Sequence, residues 1–341
     1  MSDYWLPPTL DDGDQHRRRA GFELEFGNVT VGETARALQR RLGGTVEEKN
    51  PFKFLVRDCS LGDLRVERDA SLLHSTKYRE ALSKLNIKFD PGTLAREIEH
   101  GIDRLSSNLI PCEIVTEPLA LGEFDGLDTV VEVLNELHAE GTQASLINAY
   151  GTHINPSSPD LEPTTVLAYL QGFLLLSDWI IDRCGIDVSR RHFTRFIDPF
   201  PDAYLDRVLD HDYDPEMATL IDDYLADNPT RNRALDLLPL LCEIDADRTL
   251  DGVDESDRPL IKPRPAFHYR LPDCRVGEPG WSVAREWNYW WHVEVLAADT
   301  ALRDSLISLW QRNGKDSLLN TGNWVKRVQE FIDQQVSEPG S

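Results

Sequence analysis

Five short segments carry side chains whose type and spacing can do chemistry. In Gly21-Phe22-Glu23-Leu24-Glu25-Phe26 the two acids fall two positions apart. Alternate residues of a strand point to opposite faces, so Glu23 and Glu25 share one face while Phe22, Leu24 and Phe26 take the other. Adjacent carboxylates repel, and a cation relieves that repulsion; Mg²⁺, a hard ion, prefers such oxygens. Glu113-Ile114-Val115-Thr116-Glu117 repeats the pattern, with Glu113 and Glu117 on one face. In Gly151-Thr152-His153-Ile154-Asn155, His153 and Asn155 lie side by side behind a glycine that admits close approach. Arg264-Pro265-Ala266-Phe267-His268-Tyr269-Arg270 puts His268 and Arg270 on one face. An arginine beside carboxylates can hold and neutralise phosphate oxygens. Finally, Val66-Glu67-Arg68-Asp69-Ala70-Ser71 runs a strand into an Asp and a Ser at a turn. Each segment also has a structural reading: a polar strand edge for the paired Glu, a turn cap for Asp69, a satisfied core imidazole for His153, an ion pair for Arg270.

In chain order these segments resemble the amidoligase family, glutamine synthetase-like carboxylate–amine ligases distantly similar to glutamate–cysteine ligase. The resemblance spans roughly Gly21 to Asp273 in scattered strands: Glu-x-Glu, Asp-x-Ser, Glu-x-Val-Thr, Gly-x-His and a late Arg. It implies that Glu23, Glu25, Glu113, His153 and His268 hold metal, and that His153, Asn155, Arg264 and Arg270 bind ATP. It assigns catalysis to Arg270, Glu113 and Glu25, and the substrate side to Asp69, Ser71 and Glu117, with Glu117 the nominal base for the amine. The implied cofactors are ATP and Mg²⁺, with Mn²⁺ as a substitute. The implied reaction makes an amide or isopeptide bond through an acyl phosphate, and the loop Asp245–Arg258 or the stretch Pro259–Pro265 would close over the site to keep water out. Two residues depart from the family pattern. Asn155 stands where a second His is usual, and His268 where a Glu is usual, which suits Mg²⁺ less well than Mn²⁺ or Zn²⁺. The alternatives are a metal-dependent hydrolase using the same cluster, or a catalytically degenerate nucleotide-binding or partner protein.

The elements that must position these residues read as strands with interspersed helices. A strand at Ala20–Gly27 precedes a helix near Val31–Leu42, stopped by Gly43-Gly44. Runs at Phe52–Asp58 and Leu64–Asp69 form a hairpin about Gly62-Asp63. A helix within Thr93–Ser106 follows, then a strand at Cys112–Thr116, a helix at Leu127–Glu140 and a strand at Ser145–Asn155. Helical patterns cover Thr164–Cys184, Pro215–Ala226 and Asn232–Ile244; Ala266–Leu271 returns to strand; Trp281–Trp310 and Gly322–Gln335 are helical. The fold class is α+β, a glutamine synthetase-like and mainly antiparallel sheet with flanking helices. Residues 1–19 read as a loosely ordered lead-in, and 20–341 as one catalytic domain with a helical insertion at about 160–245.

Composition narrows the partners. The chain of 341 residues has a net charge of −23, and only eight of its 36 basic residues are Lys. That charge argues against a nucleic-acid binder, which displays a basic face. The apolar run Leu167–Ile181 is interrupted by Gln171, Ser177 and Asp178 and reads as a buried helix rather than a membrane span. The N-terminus lacks the apolar core of a signal peptide, so the cytoplasm is the expected compartment. Five scattered cysteines without a CxxC pair read as small core residues rather than disulfides or a zinc site. Trp281, Trp287, Trp290, Trp291 and Trp310 read as core, or as an interface if exposed. The expected partners are an amino acid or peptide substrate, with homo-oligomerisation left open and neither nucleic acid nor membrane.

Overall fold

A computed structural model describes residues 3–68, 111–142, 150–186, 197–317 and 321–339. The sheet grows outward from β1 (Arg19–Phe26), where Phe22, Leu24 and Phe26 are fully buried and Glu23 and Glu25 are not. That alternation fixes the register. A slip by one residue would expose three apolar side chains, each worth roughly 1.5–3 kcal/mol of burial, and bury two carboxylates. Eight further strands join it: β2 (Thr45–Asn50), β3 (Lys53–Cys59), β4 (Gly62–Arg68), β5 (Cys112–Thr116), β6 (Leu119–Ala120), β7 (Thr152–Pro156), β8 (Leu235–Asp236) and β9 (His268–Tyr269). Their order is β2-β3-β4-β5-β1-β7-β9-β8, with β6 pairing the start of β1, and the ladders are antiparallel. The expected α+β architecture is therefore the one observed.

Helices cover the apolar face. α1 (Val31–Leu42) begins where the Thr30 side chain accepts from Glu33 N and ends at Gly43, whose φ of 81° suits a residue without Cβ. It packs on β3 and β4 beside α2 (Gly126–Glu136). α3 (Pro163–Cys184) is long and apolar enough to cross a membrane by length and composition, but it is mostly buried inside the protein. It packs on α8 (Val283–Ala298), α9 (Thr300–Ser317) and α10 (Thr321–Gln335). Between lie the short helices α4 (Asp202–Val208), α5 (Met217–Asp227), α6 (Leu238–Ile244) and α7 (Ala246–Asp251). Trp281, Trp287, Trp290, Trp291 and Trp310 are all buried, so the tryptophans are core. The five cysteines are buried and form no disulfide with one another, as expected.

Several sequence expectations shift. The helix expected over Asn232–Ile244 splits. Its first part pairs with β9 as β8, and the Asp236 side chain accepts from Leu238 N to start α6 only afterwards. The presumed loop Asp245–Arg258 contains α7, capped by Asp245 and tied back by an ion pair between Arg248 and Asp222. Trp281–Trp310 breaks at Asp299, whose carboxylate accepts from Leu302 N. β2 was not anticipated, and the expected helix within Thr93–Ser106 lies outside the described residues. Residues 3–18, expected to be loosely ordered, are held against α8: Trp287 Nε1 and Trp291 Nε1 donate to the carbonyls of Trp5 and Leu6. Arg18 goes further. Its guanidinium forms a two-pronged ion pair with Glu294 in which both side chains are fully buried, and Tyr169 and Trp290 donate to the same carboxylate.

Candidate metal and phosphate site

The open face of the sheet gathers the acids. Register places Glu67 of β4 opposite Glu113 of β5, and Glu113 opposite Glu25 of β1. Three carboxylates thus stand in one row across adjacent strands, which lie about 4.8 Å apart. Two residues along β1, Glu23 faces His153 of β7, and His153 Nδ1 lies 3.2 Å from Glu23 Oε2. Behind β7, the His268 ring of β9 meets His153 edge-on at a centroid distance of 5.3 Å. Two ligand sets result, each able to bring its donor atoms within 4.8 Å of one another: Glu23, His153 and His268; and Glu25, Glu113 and His153.

Gly151 makes this proximity tolerable. Its N–H donates to Glu25 Oε2 at 2.8 Å while its carbonyl accepts from Glu25 N. A Cβ there would sit 2.7 Å from His153 Nε2. The glycine of Gly-x-His is thus required by the crowding of its own neighbours.

The electrostatics favour a cation. Burial and the charges of Glu23, Glu25 and Glu67 push the Glu113 carboxyl up to about 9, so at neutral pH one proton stays among these acids. Burial alone would raise Glu23 too, but the His153 hydrogen bond and the charges of His153, His268 and Arg264 hold it well below the usual carboxylate range. Burial, partly opposed by the adjacent Asp236, lowers His268 to about 4, leaving a neutral imidazole. Among the described residues, neither nitrogen of His268 has a hydrogen-bond partner, although the residue is only 6% exposed. Carboxylates in excess and an orphaned buried imidazole are a donor set that fits a divalent cation.

Arginines flank the acids. Asn155 Nδ2 donates to Glu23 Oε1 at 2.8 Å, and Arg264 Nη2 donates to Asn155 Oδ1 at 2.9 Å. The Asn that replaces the family's second His therefore works as a bridge between a carboxylate and a guanidinium. A cleft of about 860 Å³ opens beside it, and Arg19, Gly21, Glu23, Arg65, Asn155 and Arg264 all line it. Gly21 contributes no side chain, which leaves the middle of β1 open to a ligand. Arg264 Nε has no hydrogen-bond partner among the described residues. Burial lowers the Arg270 guanidinium despite the nearby charges of Asp236, Glu25 and Glu23, and its Nη1 donates to the Arg231 carbonyl.

The structure thus brings together Glu23, Glu25, Glu113, His153, Asn155, Arg264, His268 and Arg270. Glu117 stays apart: it is exposed beyond the end of β5, with its carboxylate accepting from Asp63 N. Asp69 and Ser71 lie outside the described residues. Three contributors were missed. Glu67 and Arg65 alternate with Leu64 and Val66 in plain view, and Glu67 is paired with Lys53 and Arg65 at 2.9 Å each. Only the register distinguishes them from other surface charges. Asp236, fully buried, has its Oδ2 3.4 Å from His268 Nδ1, and a two-residue strand gives no periodic signal that could have revealed it.

Comparison with known proteins identifies the family. Residues 16–292, well over half of the chain, match the family described as "Putative amidoligase enzyme". No curated protein and no solved structure matches the chain.

Proposed function

The chain belongs to the amidoligase family, and from that premise we propose that it is an ATP-dependent ligase joining a substrate carboxylate to an amine. The observation that carries the reading is the adjacency of an acid–imidazole cluster and an arginine-lined cleft on one open sheet face. A ligase must hold a triphosphate, whose charge demands both divalent metal and placed guanidinium groups. This chain, at a net −23, concentrates both at one place. A hydrolase could use the same cluster, but only one acting on an anionic substrate would need guanidinium groups beside it.

The roles follow from the positions. Glu23, Glu25, Glu113, His153 and His268 would hold Mg²⁺ or Mn²⁺, which neutralises phosphate charge. Arg264, fixed by Asn155, and Arg270, fixed by the Arg231 carbonyl, are preorganised to bind phosphate oxygens without losing rotamer freedom. Arg19, exposed, and Arg65, half-exposed, both line the cleft and suit the second anionic group, the acid substrate. In the reaction, a carboxylate oxygen of the acid attacks the γ-phosphorus and ADP leaves with the bonding pair. The amine nitrogen then attacks the acyl carbon, the C–O bond to phosphate breaks, and the ammonium proton is lost. Binding both substrates in one cleft supplies proximity, and shielding the acyl phosphate prevents its hydrolysis.

The test is phosphate release from ATP with Mg²⁺ or Mn²⁺, scanned over pools of amino acids and short peptides, with Glu25→Ala as control. Release that needs both an acid and an amine, and that disappears in the variant, is the expected result. Amide cleavage that proceeds without ATP would replace this reading with the hydrolase. ATP binding without turnover on any pool would mark a degenerate member.

A further inference from the structure

We propose that Asp236 is a positioning residue that makes His268 a metal ligand, and that the pair biases the site towards cations accepting imidazole nitrogen, such as Mn²⁺ and Co²⁺, over Mg²⁺. The proposal rests on the ligase reading to this extent, that the open-face cluster binds a divalent cation.

The geometry begins with two very short strands. Leu235 pairs with Tyr269 and Asp236 with His268, so the two side chains meet across a ladder rather than through a loop. Asp236 is fully buried. Its Oδ1 accepts from Leu238 N at the start of α6, which fixes the carboxylate plane. Its Oδ2 lies 3.4 Å from His268 Nδ1, within ion-pair range but off hydrogen-bonding alignment. The other charged group facing it, Arg270, gives its Nη1 to the Arg231 carbonyl and makes no ion pair with Asp236 among the described residues. A buried carboxylate in this position asks for a proton on Nδ1, and that tautomer leaves the lone pair on Nε2.

Nothing in the described protein uses that lone pair. His268 is 6% exposed and neither ring nitrogen has a hydrogen-bond partner, yet the residue can place a donor atom within 4.8 Å of donors from Glu23 and His153. A buried imidazole without a partner is costly unless something outside the chain fills the role. A carboxylate behind a ligating imidazole sets its tautomer, aims its ring and raises its basicity. An imidazole nitrogen favours Co²⁺ strongly, and Mn²⁺ more modestly, over Mg²⁺, which keeps to oxygen and surrenders its water reluctantly. The part of the site built on Glu23, His153 and His268 is therefore the part that discriminates.

The experiment is calorimetric titration of the full chain with MnCl₂, CoCl₂ and MgCl₂ alone, together with the visible spectrum of the Co²⁺ form. Asp236→Asn should weaken Mn²⁺ and Co²⁺ binding by about 10–100-fold and alter the Co²⁺ absorption, with Mg²⁺ changed far less. His268→Ala should do the same, and combining the two should add nothing. In a His268→Glu background, which supplies a carboxylate ligand directly, Asp236→Asn should no longer weaken binding; a purely structural role for Asp236 would not produce that reversal. A folded Asp236→Asn protein with unchanged Mn²⁺ affinity and Co²⁺ spectrum overturns the proposal. If circular dichroism shows that Asp236→Asn does not fold, His268→Ala decides alone, and an intact preference for Mn²⁺ over Mg²⁺ overturns it. Absence of all divalent binding in the unaltered protein overturns both this proposal and the ligase reading, whereas binding indifferent to Asp236 overturns this one only.

Discussion

Loading the acid cluster with a divalent cation should expel a proton, and the amount of work involved follows from the row Glu67–Glu113–Glu25. Burial and the neighbouring charges push Glu113 up to about 9, so near neutral pH the unloaded cluster keeps one proton that an entering cation must displace. At pH 7 that is two units below the midpoint, a penalty of about a hundredfold or 2.7 kcal/mol; at pH 8 it shrinks to about tenfold. Apparent Mn²⁺ affinity should therefore rise about tenfold between pH 7 and pH 8. His268, held at about 4, contributes nothing in that window. Calorimetric titration at fixed pH in two buffers of different ionisation enthalpy counts the protons released, and about one per ion is expected. Glu113→Gln removes the proton-carrying group, so it should weaken binding and flatten its pH dependence at once. Wild-type affinity that stays level from pH 7 to 8, with no proton released, would refute this picture of the cluster.

Other residues lend themselves to equally direct tests. Gly151→Ala sets a Cβ 2.7 Å from His153 Nε2, so metal affinity should drop at least about tenfold while the melting temperature moves little; titration and thermal unfolding separate the two. Glu286, buried and accepting from the Cys184 thiol, is pushed up to about 7 by burial. Its folded value exceeds its unfolded one, so its contribution is full below pH 4.5 and is lost as pH rises through 7, a change of about 3 kcal/mol. Urea unfolding at pH 5 and pH 8 should show that loss in the wild type and much less of it in Glu286→Gln. Replacing Arg18 with Met strands the Glu294 carboxylate in the core, and denaturant unfolding should report a loss of about 3–5 kcal/mol. Replacing both partners with apolar residues should recover most of it.

The strand positions that carry period-two alternation were readable. Phe22, Leu24 and Phe26 against Glu23 and Glu25 marked both the buried face and the acid-bearing open face of β1, and the alternation is equally plain around Glu113 on β5 and His153 on β7. Helix α1 was equally plain, because Gly43-Gly44 stops it and its apolar stripe is clean. Which strands neighbour one another was not readable, and that is what turns Glu67, Glu113 and Glu25 into one row. β2 escaped because Thr45-Val46-Glu47-Glu48-Lys49-Asn50 sits at the sheet edge and buries none of its residues fully. Asp236 escaped because β8 is two residues long and its apolar surroundings imitate a helix. Arg18 and Glu294 are 276 positions apart, and no local pattern links an arginine at the end of the lead-in to an acid in a tryptophan-rich helix.

The ligase reading is tested most directly by the fate of a carboxylate oxygen. With an acid found by the phosphate-release screen and labelled with ¹⁸O in its carboxyl group, one labelled atom should appear in each phosphate released with the amide product. That result requires a bond between the acid's oxygen and phosphorus, which is the acyl phosphate. Unlabelled phosphate alongside amide formation, or release of AMP and pyrophosphate instead, would contradict it.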